Sequence, residues 1–439
     1  MFLPQYVQKC MEILENAGCA AYAVGGCVRD AVLGLTPQDY DLCTAALPEQ
    51  MKSLFSGCRL ILAGEKHGTV SVITDGGVVE ITTFRSEGDY RDSRHPGWVR
   101  FVPDIESDLA RRDFTVNAMA YSPLRGFADP FGGREDLKNR ILRTVGDPAA
   151  RFEEDALRIL RGMRFSLRYR LTPEEKTLQA MEALAPRMEH LARERVFSEL
   201  CKILPLAEAG DFQRYRQILG EVIPALRPTF DFDQHSPHHA YDLYTHIAHV
   251  TAAVPGKQTL RWAALLHDIG KVPAFTRDET GRGHFYGHAQ LSAQMADEIL
   301  LSLKAPTRLR EQVVLLIHLH MTRIEPDKKQ IRRFLGKHGE ELLWDLIDLQ
   351  EADMSSKGTG KQDEMDQFTV LRTLTAEVLR EDACFSLKDL AVDGNDLVAL
   401  GFVPGKAIGQ CLTSLLNQVV EETLPNEKEA LLAAAREML

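Results

Sequence analysis

Gly25-Gly26-Cys27-Val28-Arg29-Asp30, followed nine residues later by Asp39-Tyr40-Asp41, is the stretch that decides the architecture. It comes after the apolar run Ala21–Val24, which reads as a strand, and before a helix-like stretch ending at Leu33-Gly34. Paired glycines let the backbone approach a ligand closely, and amides at a helix start attract anions. On an extended backbone, residues i and i+2 share a face, so Asp39 and Asp41 are expected to converge on one divalent cation. Hard carboxylate oxygens suit Mg²⁺. A lone Gly-Gly is an ordinary turn and a lone Asp-x-Asp is usually a solvated one; their spacing together carries the reading.

Working outward, residues 59–63, 69–74, 78–84 and 99–102 also read as strands bounded by Gly, Asp or Pro, and Tyr6, Cys10, Ile13 and Leu14 recur at helical spacing. After Gly146-Asp147-Pro148 the texture becomes helical: 152–171, 177–184, 193–203 and 212–219, then amphipathic helices to Leu439 separated by Pro/Gly breaks. The expected class is α+β, with an α/β head followed by a long all-helical body.

Three further groups in the head carry chemistry. Glu80, an acid inside an apolar strand, is a candidate third metal carboxylate; an edge-strand glutamate facing water is the plain alternative. Arg111-Arg112-Asp113-Phe114-Thr115-Val116-Asn117 supplies two guanidiniums able to grip phosphate oxygens, beside an acid and an amide. Asp155 and Arg158, on what reads as one helix, would share a face, and Arg158, Arg161, Arg164 and Arg168 form a basic stripe.

The chain has 439 residues and a net charge of −11, which argues against a nucleic-acid partner only as an average. Through residue 230 there are 30 basic and 32 acidic residues, and beyond it 22 and 31, so the acidity sits in the second half. From Arg85 to Arg170 the balance reverses to 17 basic and 14 acidic. No run of about 18 apolar residues could span a bilayer, and the N-terminus lacks a signal-peptide pattern, so a soluble cytoplasmic protein without a membrane partner is expected. The eight cysteines form no Cys-x-x-Cys pair and read as buried reduced thiols.

Gly25-Gly26-x-Val28-Arg29-Asp30, Asp39-x-Asp41, Arg111-Arg112-Asp113-Phe114-x-x-Asn117 and Glu154-Asp155-x-x-Arg158, in that order, resemble the bacterial-type (class II) tRNA nucleotidyltransferase and poly(A) polymerase family. The resemblance implies a polymerase-β-like head with a mixed sheet over 1–147, a helical neck with the nucleotide-selecting motif over 148–225, an HD-type helical domain over 226–360 and a helical tRNA-binding tail over 361–439. It implies that Asp39 and Asp41 bind the catalytic Mg²⁺ and activate the 3′-hydroxyl of tRNA, with Glu80 a possible further ligand. Gly26, Arg29, Arg111, Arg112, Asp113, Asn117, Arg161 and Arg164 would surround the nucleotide. Asp155 and Arg158 would read the Watson–Crick edges of CTP and then ATP. Cytosine and adenine both present an amine beside an acceptor nitrogen, so one acid and one guanidinium can select both. Residues 86–97 read as a polar mobile loop, with an ordinary surface hairpin as the alternative, and the resemblance links such a loop to the switch from C to A addition.

His246, the doublet His267-Asp268 within Leu265-Leu266-His267-Asp268-Ile269-Gly270-Lys271, and Asp353 resemble the ligand pattern of HD metal-dependent phosphohydrolases and imply a possible second divalent metal. His288, and His318 or His320, are candidate accessory ligands or phosphate contacts, with a satisfied structural histidine the plain alternative for each. The glycine-containing segment 390–409 resembles the family's tRNA-holding tail. The expected activity is addition or repair of the 3′-terminal CCA of tRNA from CTP and ATP, releasing pyrophosphate. Open alternatives are poly(A) synthesis, partial CC or A addition, and an HD signalling phosphodiesterase. The oligomeric state is left open.

Overall fold

The protein is described from a computed structural model over residues 3–90, 96–236, 240–358, 362–381, 385 and 387–439. It forms two compact units, the first running to residue 206 and including 215–224, the second comprising 207–214 and 225–439. The first is mixed α and β, and the second is almost wholly helical.

The first unit is built on a seven-stranded sheet in the order β3-β4-β5-β2-β1-β8-β9. Its strands are β1 (Ala21–Val24), β2 (Asp41–Thr44), β3 (Arg59–Ile61), β4 (Thr69–Thr74), β5 (Gly77–Thr83), β8 (Ala120–Ser122) and β9 (Gly126–Ala128). Neighbours are antiparallel except β2 on β5, which run parallel with Asp41 opposite Glu80. Val24, Cys43, Phe84, Leu109 and Ala120 form a buried cluster around the sheet centre. β6 (Arg85–Tyr90) and β7 (Pro96–Phe101) make a separate antiparallel ribbon. The expected loop is thus two paired strands over most of its length, because the ladder from Arg85↔Phe101 to Tyr90↔Pro96 satisfies its backbone; residues 91–95 lie outside the described residues.

The expected helix over 152–171 is two helices, Pro148–Glu154 and Leu157–Tyr169. Asp147 caps the first, accepting from the Ala150 amide at 2.9 Å, with Pro148 at the first helical position. Asp155 is extended, at φ −147° and ψ 103°, and its Oδ1 accepts from the Leu157 amide at 2.9 Å. This local bond competes with helix continuation, so Asp155 and Arg158 do not share one helix face. The second helix seats against the head core. Phe114 is fully buried and meets Phe165 edge-on at 5.8 Å. A Cβ on Gly162 would lie 2.9 Å from the Phe114 ring, so the close approach needs glycine.

In the second unit, helices Leu243–Ala253, Gln258–Leu266, His288–Ser302, Thr307–Leu319 and Glu340–Ser355 pack on one another. Towards the C-terminus, apolar clusters centre on Ile331, Leu343, Ile347 and Val378, and on Leu397, Leu415 and Leu431. The expected helix over 212–219 is split at Tyr215 into Ala209–Arg214 and Arg216–Val222, which belong to different units. Seven cysteines are described and all are free; Cys58, contrary to expectation, is exposed, and Cys384 lies outside the described residues.

Candidate active site

A cleft of about 830 Å³ opens in the first unit. Seven arginines but only three aspartates line it, the charge balance expected of a seat for a polyanion. Gly25, Gly26, Arg29 and Asp41 come from the opening motif; Arg111, Arg112, Asp113 and Asn117 from the segment after the β6–β7 ribbon; and Asp155, Arg158 and Arg161 from the paired helices. Asp39, Glu80 and Arg164 are outside this lining.

Asp41 heads β2, while Asp39 precedes the strand and is exposed, so strand alternation does not relate the two carboxylates. The lateral partner of Asp41 is instead Glu80 on β5. The Asp41 carboxyl is pushed above its ordinary range, first by loss of water and then by the negative charge of Glu80, with Asp39 adding to the effect. Such repulsion is what a divalent cation relieves, and hard carboxylate oxygens suit Mg²⁺, but among the described residues the structure does not draw Asp39, Asp41 and Glu80 into a set with ligand atoms all within 4.8 Å of one another.

The arginines are held by acids. Asp108, whose side chain is 0% exposed, takes Arg111 Nη2 at 2.9 Å and Arg112 Nη2 at 3.2 Å, and accepts from the Arg85 amide at 3.3 Å. Those arginines hold its carboxyl below the ordinary value against the opposing effect of burial. Arg112 runs beneath Gly25, where a Cβ would stand 2.7 Å from Nη1 and where φ is +70°. Its Nε is buried without a hydrogen-bond partner among the described residues. Asp113 receives Arg161 Nε at 2.9 Å and Nη2 at 2.6 Å, together with the Asn117 side-chain amide at 3.1 Å. Burial opposes its charge, but Arg161 and Asn117 prevail and hold the carboxyl at about 2.

Arg29 is 6% exposed. It donates to Asn117 Oδ1 at 2.5 Å and to Asp30 at 2.7 Å, bonds the Tyr169 hydroxyl, and lies 4.1 Å from the Tyr169 ring centroid. It is therefore a clamp between the Gly-Gly turn, Asn117 and the Leu157–Tyr169 helix. Arg158 is fixed by Glu154 and by the Arg111 carbonyl, and Asp155 by Arg195 at 2.9 Å. Arg164 pairs with Glu199 at 2.7 Å. Sequence reasoning missed Asp108, Arg85 and Arg195. Asp108 carried one usable signal, an acid three and four residues before two arginines; Arg195 lies 40 residues from its partner and carried none.

The second unit brings together His246, His267, Asp268 and Asp353, with ligand atoms all within 4.8 Å of one another; Asp268, His288 and His320 form a second such set. His246 Nε2 is 3.0 Å from Asp353 and 3.5 Å from Asp268, and His267 Nε2 is 3.2 Å from Asp268. The Nδ1 atoms of His267, His288 and His320 face backbone carbonyls at 2.7, 2.8 and 2.6 Å, which turns each Nε2 toward the cluster. Burial opposes charge on His246, yet Asp268 and Asp353 hold its pKa up at about 9, whereas burial and His267 hold His320 down at about 4. A Cβ on Gly270 would sit 2.7 Å from the His288 carbonyl, so this glycine lets the His288–Ser302 helix close over the doublet. His318 belongs to neither set.

A family model described as "Poly A polymerase head domain" matches residues 21–143, one described as "Probable RNA and SrmB- binding site of polymerase A" matches 170–214, and one described as "tRNA nucleotidyltransferase domain 2 putative" matches 283–435. The CCA-adding enzyme of Streptococcus suis (strain 05ZYH33) is 34% identical over 442 residues, covering 100% of this chain and 98% of its own. That of Streptococcus thermophilus (strain CNRZ 1066) is 33% identical over 446 residues with the same coverage. The crystal structure of the Bacillus stearothermophilus CCA-adding enzyme in complex with CTP aligns with a TM-score of 0.70 at 28% identity, over 99% of this chain and 98% of that one. No described helix is long and apolar enough to cross a membrane. The head match spans the Gly-Gly and Asp-x-Asp motifs and the relatives align end to end, so the chain belongs to the CCA-adding enzymes, tRNA nucleotidyltransferases with a poly(A)-polymerase-type head.

Proposed function

We propose that this chain adds or repairs the 3′-terminal CCA of tRNA from CTP and ATP without a nucleic-acid template. The observation that carries this is one cleft with an Asp41 wall, an arginine wall and the Asp155/Arg158 pair. Asp39, Asp41 and Glu80 would hold Mg²⁺, which when bound promotes ionisation of the 3′-hydroxyl and offsets triphosphate charge. The hydroxyl oxygen bonds to the α-phosphorus, the bond to the β-phosphate breaks, and pyrophosphate leaves. Arg111 and Arg112, set by Asp108, would face the triphosphate. A carboxylate offers about four acceptor sites, so Asp155 keeps capacity for an exocyclic amine while bonded to Arg195 and Leu157. The division into head 1–147, neck 148–225, HD-type domain 226–360 and tail 361–439 belongs to the same proposal.

The test is incubation of tRNA transcripts ending at the discriminator base, at the first C or at the second C with CTP, ATP or both, followed by product sequencing. Ordered completion to CCA is expected. Long A tails would mean a poly(A) polymerase, and arrest at CC with ATP present a partial enzyme.

A second activity is favoured by the two His/Asp sets. Imidazole and carboxylate donors suit a transition metal, which would supply an activated water for hydrolysis of 2′,3′-cyclic phosphates. Water adds to phosphorus, one ester bond breaks, and the freed sugar oxygen takes the proton. Phosphohydrolase turnover dependent on Ni²⁺, Mn²⁺ or Mg²⁺ and lost in His267→Ala is expected; absence of metal-stimulated turnover refutes it.

A further inference from the structure

Asp268, Asp353, His288 and His320 of the His/Asp cluster line a cavity of about 270 Å³ together with lysines, aromatic rings and Met321. Lys271 and Lys357 reach the cluster's acids, at 2.7 Å from Asp268 and 3.5 Å from Asp353. The same cavity is lined by an aromatic pair, His284 and Tyr286, that the metal-site reading does not use. Tyr286 is 79% exposed, and its ring stacks on His284 at 5.4 Å with an interplanar angle of 6°. His284 is itself fixed, its Nε2 lying 2.8 Å from Asp278 Oδ2, and Asp278 Oδ1 accepts from the Thr280 and Arg282 amides at 2.9 and 3.1 Å. A short antiparallel pairing, Thr276–Arg277 with Gly283–His284, carries this arrangement.

An exposed tyrosine costs little as a surface accident, but this one is held flat, backed by a second ring and placed on the wall of a cavity whose His and Asp residues can bind metal and whose lysines attract phosphate. Base–aromatic stacking is sequence-tolerant and worth a substantial share of single-strand affinity. We infer that the Tyr286–His284 pair is a base platform and that the cavity takes a nucleotide, free or at an RNA 3′ end, with its phosphate toward Asp268, Lys271 and Lys357. The inference rests on the phosphohydrolase reading and adds to it the pair of residues that would select, among 2′,3′-cyclic phosphates, those bearing a base.

The test compares adenosine 2′,3′-cyclic monophosphate, an RNA oligonucleotide ending in the same cyclic phosphate, and glycerol 1,2-cyclic phosphate, which has the ring but no base, on the Mn²⁺-loaded full chain. In Tyr286→Ala the preference in kcat/KM for the adenosine or RNA substrate over the glycerol one falls about tenfold, and Tyr286→Phe restores it. A larger fall on the oligonucleotide than on the mononucleotide identifies the RNA end as the source, and the reverse identifies the free nucleotide; both support the platform. Equilibrium dialysis of adenosine 2′-monophosphate reads the same loss without turnover and separates the two ideas. If wild type hydrolyses none of the three, phosphohydrolysis fails, yet tighter binding by wild type than by Tyr286→Ala still supports the platform. Equal binding by the two, or an unchanged substrate preference, overturns it.

Discussion

The arginine cleft of the first unit and the His/Asp cluster of the second use overlapping residue types with opposite logic. In the cleft, carboxylates such as Asp108 and Asp113 are buried supports and the cations line the opening, so the seat is electropositive. In the cluster, Lys271 and the buried imidazoles surround Asp268, and the inward nitrogens and oxygens are the groups that could hold a metal. Burial, more than residue identity, decides which sign is presented. A buried charge persists only with a partner, so each site is readable from what compensates it.

The sharpest way to break the comparison is Asp41→Asn. Nucleotide addition should fall by more than about 10³-fold, following the loss of a charged group acting on the reacting oxygen, while metal-dependent hydrolysis at the second site and the thermal midpoint stay close to wild type. Parallel loss of both activities would mean that the sites are not independent.

Asp108→Ala should come next. Breaking a buried ion pair by removing one partner costs about 3–5 kcal/mol, and here two guanidiniums lose a shared acid. Urea unfolding should show the loss, with KM for CTP and ATP rising together; destabilisation without a KM change would reduce Asp108 to a packing role.

A smaller effect concerns pH. The folded-state pKa of Asp113 is depressed from 3.8 to about 2, so its stabilisation is fully present above about pH 4 and is lost as pH falls toward 2. At 1.36 kcal/mol per unit the contribution is about 2 kcal/mol. Comparing acid unfolding of wild type and Asp113→Asn between pH 5 and 2 measures it, and curves of identical shape would refute it. Smallest is Gly162→Ala, which places a Cβ 2.9 Å from the Phe114 ring. A loss of about 1–2 kcal/mol is expected from overpacking, readable as a drop in thermal midpoint with no change in the CTP-to-ATP preference.

What the sequence disclosed follows the range of the forces involved. Ala21–Val24 and Thr69–Thr74 are apolar or β-branched runs, and both form strands at the expected bounds. β8 and β9 are three residues each and exist because β1 and each other supply their ladders, so no local pattern announced them. The motif residues of the cleft were legible because chemistry restricts their types; the acids that orient them were not, since many acidic positions could pair with an arginine. Asp155 shows the opposite failure. The helical periodicity over 152–171 runs on without pause, and only the bond from Leu157 and the reach of Arg195 explain the break.

The parallel pairing of β2 on β5 places Asp41 beside Glu80. A slip of one residue between these strands would send Glu80 to the opposite face. The same ladder that completes the sheet therefore also sets the carboxylate pair: strands annealed one residue out of step would leave Asp41 without Glu80 at its side.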